Sequence, residues 1–229
     1  MPTPDAMPMG DVKTLKVVVL ISGSGSNLQA LIDGVATGDL PIEIAAVISN
    51  RPDVFGLTRA TNAGIPTAVL DHKGFASREA FDQELMRTID VYNPGLVVLA
   101  GFMRILTAEF TQHYLGRMLN IHPSLLPKFQ GLHTHQRAID AGERHHGVTV
   151  HFVTAELDGG PAIVQAVVPV LEGDDASQLA KRVQRQEHVI YPLAVKWFAQ
   201  GDLKMQDGKA ELKGELLPAC GYQIEANEP

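Results

Sequence analysis

The feature that most constrains the fold is an alternation. Short apolar runs of strand length recur along the chain, and segments with helical spacing separate them. The runs are Lys16–Ser22, Glu43–Ile48, Thr67–Leu70, Leu96–Ala100 and Met118–His122. They are apolar at successive positions rather than at every second one, which is the pattern of parallel strands buried on both faces. Between them, Leu28, Leu31, Ile32 and Val35 form one helical stripe, and Phe81, Leu85, Ile89 and Tyr92 form another. This alternation predicts βαβ units with right-handed crossovers. The fold class expected is therefore α/β, a mostly parallel Rossmann-like sheet with helices on both faces.

Two later runs, Gly147–Val153 and Ile163–Val170, are joined only by a short Gly/Asp connection. They predict an antiparallel C-terminal strand addition to the sheet. A long helix over about residues 176–199 follows, and after it only a short tail. With 229 residues and 45% hydrophobic content, the chain can bury one large core. Residues 15–229 are thus expected to form a single domain. Residues 1–14, rich in Met and Pro and without periodicity, are read as a disordered leader.

A net charge of −7 counts against a nucleic-acid partner. The apolar run at residues 17–21 is too short to span a bilayer, so no membrane partner is expected. The one cysteine, Cys220, cannot form an intrachain disulfide, and a cytoplasmic location is expected. The oligomeric state is open, a homodimer included.

Three local patterns carry chemistry. Gly23-Ser24-Gly25-Ser26-Asn27 follows the first strand and opens the first helix, where bare N–H groups and the positive helix end suit a phosphate. It lacks the third glycine and the downstream acid of a dinucleotide fingerprint, and no ATP-type phosphate loop is present. Asn120 and His122 lie two residues apart in a strand stopped by Pro123, so both side chains leave the same face at its carboxyl end. Asp158, ahead of Gly159-Gly160-Pro161, sits in a tight turn that can bring a carboxylate to that face. Imidazole, amide and carboxylate together suit the charge changes of acyl transfer. The remaining histidines lack the spacing of a metal motif, so no metal is expected. His133 and His135 are given supporting roles, and His145 and His146 are read as solvated loop residues.

From about Lys16 to about Gln206 the chain resembles the folate-dependent formyltransferases. The likeness is carried by the glycine loop, by Leu99-Ala100-Gly101-Phe102-Met103-Arg104-Ile105-Leu106, by Asn120-Ile121-His122-Pro123-Ser124-Leu125-Leu126-Pro127, by Gly131-Leu132-His133-Thr134-His135, by Leu157-Asp158-Gly159-Gly160-Pro161 and by Gln184-Arg185-Gln186-Glu187-His188. The resemblance implies transfer of a formyl group from the co-substrate 10-formyl-tetrahydrofolate to the amine of glycinamide ribonucleotide, a step of de novo purine (IMP) biosynthesis, through a tetrahedral intermediate. It implies that Asn120, His122 and Asp158 are catalytic. Asn120 and a protonated His122 would stabilise the oxyanion, and Asp158 would order a water and keep His122 charged. It also implies that Gly25, Ser26, Asn27, Gln184 and Glu187 hold the ribonucleotide, and that Arg78, Met103, Arg104, Ile105 and Leu106 line the folate site. One departure is Gln130, where the family more often has proline.

Rival readings are a formyl-tetrahydrofolate hydrolase, a formyltransferase acting on methionyl-tRNA, and a non-catalytic module that binds a phosphate-bearing ligand. The hydrolase carries a domain before the catalytic one and the tRNA enzyme a basic domain after it, and the length here leaves room for neither. The binding module would require the Asn/His/Asp set to be coincidence.

Overall fold

The computed structural model describes residues 13–226. The expected leader lies outside the described residues except for Lys13 and Thr14. Five parallel strands make the centre: β1 (Leu15–Ile21), β2 (Ile42–Ser49), β3 (Thr67–Val69), β4 (Leu96–Leu99) and β5 (Met118–His122). Their order is β3-β2-β1-β4-β5. Alternate side chains leave opposite faces of a strand, so β1 feeds two cores. Val17, Val19 and Ile21 enter one, and Val18 and Leu20 the other.

Helices close both cores. In the first, Leu28 and Leu31 of α1 (Ser26–Ala36) meet Val183 and Ile190 of α6 (Ala176–Ala199), with Ala60 of α2 (Phe55–Asn62) beside them. In the second, Phe81, Leu85 and Ile89 of α3 (Arg78–Asp90) pack with Phe110 of α4 (Ala108–His113). The start of α6 is fixed by a capping box, in which Asp175 accepts from the Gln178 N–H and the Gln178 side chain accepts from the Asp175 N–H.

The antiparallel addition is present: β6 (His145–Phe152) runs against β5, and β7 (Ala162–Pro169) against β6. The short tail expected after α6 is instead structured. β8 (Leu203–Gln206), β9 (Lys209–Leu212) and β10 (Glu215–Leu216) form a small antiparallel sheet, and β11 (Tyr222–Glu225) pairs parallel with β7 at the edge of the large one. These strands are two to four residues long and mix polar with apolar residues, so no apolar run announces them.

The segment between His133 and His146 is not a plain loop: it holds α5 (Thr134–Asp140), and both His145 and His146 lie in β6. Helical spacing groups Tyr191 with the polar face of α6. It is fully buried instead, its hydroxyl 2.7 Å from the Leu99 carbonyl at the end of β4 and 3.1 Å from the Leu119 carbonyl in the first half of β5.

Candidate active site

Asn120 and His122 end β5, and the antiparallel register sets Asn120 opposite His151 of β6. His122 is 6% exposed. Its Nε2 lies 2.8 Å from the Phe129 carbonyl, which can only accept, so Nε2 carries a proton and donates it there. The other nitrogen, Nδ1, lies 3.6 Å from Asp158 Oδ1, with both side chains 8% exposed. Asp158 has φ +52°, a left-handed conformation that aspartate tolerates in turns. Gly160 permits the turn to lie against β6, since a Cβ there would fall 1.8 Å from the Phe152 carbonyl oxygen. The Gly131 N–H donates to Asp158 Oδ2 at 3.0 Å, which leaves Oδ1 beside the imidazole. The expected trio therefore converges. With Nε2 committed to Phe129, Nδ1 is the edge of His122 left for chemistry.

His151 is a further candidate at this site that spacing alone did not reveal. It is 2% exposed, and its Nδ1 donates to the Phe152 carbonyl at 2.9 Å. Burial lowers the pKa of this ring and favours the neutral form. Its Nε2 thus presents a lone pair 3.5 Å from Asn120 Nδ2, which turns the amide so that one N–H faces His151 and the other stays free for a ligand. Behind His122, His135 Nδ1 and His146 Nε2 are 3.2 Å apart. His146 is 1% exposed rather than solvated, and burial first, then His135, pulls its pKa down to about 4.

The five residues expected at the ribonucleotide also meet. Gly25 takes φ +73° just ahead of α1, and a Cβ there would lie 2.7 Å from Gly56 Cα, where α2 packs on the loop. Arg59 Nε donates to the Ser24 carbonyl at 2.8 Å and fixes the loop from outside. Across from it on α6, Gln184 donates to Ser26 Oγ at 3.2 Å, and Asn27 Nδ2 donates to Glu187 Oε2 at 3.1 Å. Burial raises the Glu187 pKa, and the Asn27 bond partly offsets it. Asn27 Oδ1 and His188 Nε2 are buried without a partner among the described residues. Unfilled hydrogen-bonding capacity of this kind, beside a free helix N-terminus, suits a hydroxylated, phosphate-bearing ligand.

The expected folate segment leaves the end of β4, beside Asn120, which pairs with Leu99. Met103 and Ile105 are 66% and 58% exposed, while Leu106 packs on the second core. Arg104 stacks over Phe81, 4.2 Å from the ring centroid, and its Nε is buried without a partner among the described residues. Arg78, the first residue of α3, is exposed one turn from Phe81, so the two arginines share one end of that helix. Neither arginine meets the Asn120, His122 and Asp158 trio in the way the five residues expected at the ribonucleotide meet one another. Met103 also walls a cleft of about 800 Å³ at the ends of β1, β2 and β3. A second cleft, about 590 Å³, lies between the Asp158 turn and the β9–β10 region. Exposed apolar side chains beside an orphaned guanidinium nitrogen fit a flat, acid-bearing folate.

A family profile described as formyl transferase matches residues 15–195. The chain belongs to the formyl transferase family. Within this family, phosphoribosylglycinamide formyltransferase of Escherichia coli (strain K12) is 57% identical over 208 residues, 91% of this chain and 98% of that protein. The human trifunctional purine biosynthetic protein adenosine-3 is 46% identical over 198 residues, which are 86% of this chain and 20% of the larger protein. The solved structure of phosphoribosylglycinamide formyltransferase from Coxiella burnetii, in complex with CHES, superposes with a TM-score of 0.90 at 51% identity, covering 93% of this chain and all of that one. The formyl transferase fold is thus the α/β sheet described above. Among the described residues, no helix is long and apolar enough to cross a membrane, and no group of three or more His, Cys, Asp or Glu could hold a metal ion.

Proposed function

We propose that this formyl transferase passes the formyl group of 10-formyl-tetrahydrofolate to the amine of glycinamide ribonucleotide, in the cytoplasm, as a step of de novo purine synthesis. The observation that carries this reading is the convergence of Asn120, His122 and Asp158 at the end of β5, with 57% identity over nearly the whole length of a relative named for that reaction. When bound, the folate supplies a formyl carbon, and negative charge develops on its oxygen as the amine attacks. The free N–H of Asn120, oriented by His151, donates to that oxygen. His122, tethered at Nε2, turns its Nδ1 edge toward Asp158 and the reacting centre. Asp158 Oδ1 stabilises positive charge on this ring and orders a water that relays the amine's proton to the folate nitrogen, whose bond to the formyl carbon breaks as the tetrahedral intermediate collapses to formylated ribonucleotide and tetrahydrofolate. No covalent enzyme intermediate is required.

The ribonucleotide phosphate lies at the N-terminus of α1 on Gly25, Ser26 and Asn27, with Gln184 and Glu187 on the sugar. Met103, Ile105 and Leu106 cover the folate ring, and Arg78 and Arg104 meet its carboxylates. Residues 15–229 act as one domain, and nothing in the chemistry needs residues 1–14 or a homodimer partner. The test is to supply folate labelled in its formyl group. The label should be recovered on the ribonucleotide amine, and its recovery as free formate would overturn the reading.

A further inference from the structure

The segment 129–132 touches both His122 and Asp158. Its Phe129 carbonyl accepts the His122 Nε2 proton at 2.8 Å, and its Gly131 N–H holds Asp158 Oδ2 at 3.0 Å. Gln130, the departure from the family pattern, adds a longer side-chain contact to the Asp158 carbonyl at 3.4 Å, which proline could not make. The backbone here is costly: Phe129 has φ +53°, Gly131 +83° and His133 +56°. Two non-glycine residues in the left-handed region require support from outside the segment.

Besides His122 and Asp158 themselves and the His146 ring beside Phe129, one side chain contacts three residues of the segment. Arg137, one turn into α5, donates from its Nη1 to the Gln130 carbonyl at 2.6 Å and to the Leu132 carbonyl at 3.1 Å. Its guanidinium also lies over the Phe129 ring, 5.4 Å from the centroid. Three contacts, at 129, 130 and 132, thus converge on one planar cation, a shape suited to two carbonyls and an aromatic face at once. The helix places it: the Arg137 N–H bonds the His133 carbonyl, so the turn and its clamp are joined through the first turn of α5.

We infer that Arg137 is a positioning residue that holds the 129–132 turn, and through it sets the Phe129 carbonyl and Gly131 N–H against His122 and Asp158. The inference deepens the proposed function, since it assumes those two residues act in the reaction. Arg137 is exposed, and its contacts run to the turn rather than to His122 or Asp158. Its loss should therefore lower the fraction of molecules with the pair aligned and leave ribonucleotide binding at α1 and α6 untouched.

The test compares Arg137→Ala, Arg137→Lys and the parent in full-length protein. Arg137→Ala should lower kcat about 5- to 30-fold, the effect of losing two charge-assisted hydrogen bonds and an exposed cation–π contact. The ribonucleotide KM should stay near its parental value, and the Tm should fall by no more than about 2 to 4 °C, so that the protein remains folded at the assay temperature. Arg137→Lys should be intermediate, and added guanidinium at low millimolar concentration should restore part of the Arg137→Ala rate. Independently of turnover, the His122 Nε2–H proton resonance should shift or broaden in Arg137→Ala. Parental kcat in Arg137→Ala, or a fall in kcat with an unchanged His122 resonance, would overturn the inference. If the parent itself transferred no formyl group, the proposed function would fail, while the resonance would still report on the clamp.

Discussion

Replacing Asp158 with asparagine removes a charge while keeping the shape of the turn. The amide oxygen of the new side chain can still accept the Gly131 N–H that now bonds Oδ2 at 3.0 Å, so the fold should be retained. What is lost is the carboxylate 3.6 Å from His122 Nδ1, with both side chains 8% exposed. At that separation a full charge pair is worth about 4 to 5 kcal/mol at an effective dielectric of about 20. An upper bound of that size translates to about 10³-fold in rate, and positioned acid–base help typically supplies about 10² to 10⁴. Asp158→Asn should therefore lower kcat by about 10² to 10⁴ with little change in ribonucleotide KM. The assay is the initial rate of tetrahydrofolate release at saturating ribonucleotide, with Tm as the control for folding. A folded Asp158→Asn protein with near-parental kcat would remove Asp158 from the mechanism and leave it as a turn former.

Three further outcomes are expected. Asn27→Ala breaks the bond to the half-buried Glu187 carboxylate and should raise the ribonucleotide KM about 10-fold or more, with kcat nearly preserved; unchanged KM would displace the ribonucleotide from α1 and α6. Gly25→Ala meets both a φ of +73° and a contact of 2.7 Å to Gly56 Cα, so it should lower Tm by several degrees even without ligand, which isothermal KM measurements alone would misread as a phosphate effect. His146 should contribute acid lability. Its pKa falls from 6.5 unfolded to about 4 folded, so below pH 6.5 the unfolded chain binds the extra proton and stability drops as pH falls toward 4. By urea titration the parent should lose about 2 to 3 kcal/mol more than His146→Gln between about pH 7 and 4.5; equal losses would show that His146 does not titrate in this way.

The central sheet was legible because β1, β2 and β4 are buried on both faces, and a continuous apolar run such as residues 17–21 fits no element with a solvated side. Helix α6 was legible because its apolar stripe, Leu179, Val183, Ile190 and Trp197, is long; its start at the Asp175 capping box was not read. The strands after it were not, since β8 to β11 are short and gain their stability from pairing that no local pattern records. Within the site, Asn120 and His122 could be paired from their spacing of two, and Asp158 from its turn chemistry. The role of His151 depends on the register of β6 against β5, and the burial of His146 on the packing of α5. Those are tertiary facts. Arg137 is similarly silent in sequence, because an arginine near the start of a polar helix is ordinary until the carbonyls it meets are known.

The most direct measurement mixes the full chain with 10-formyl-tetrahydrofolate and follows tetrahydrofolate release with and without glycinamide ribonucleotide. Release should be rapid only when the ribonucleotide is present and should stop when one equivalent of it has been consumed. Release at the same rate without the ribonucleotide would make the protein a hydrolase, and ribonucleotide binding without any release would make it a binding module; either result would contradict formyl transfer.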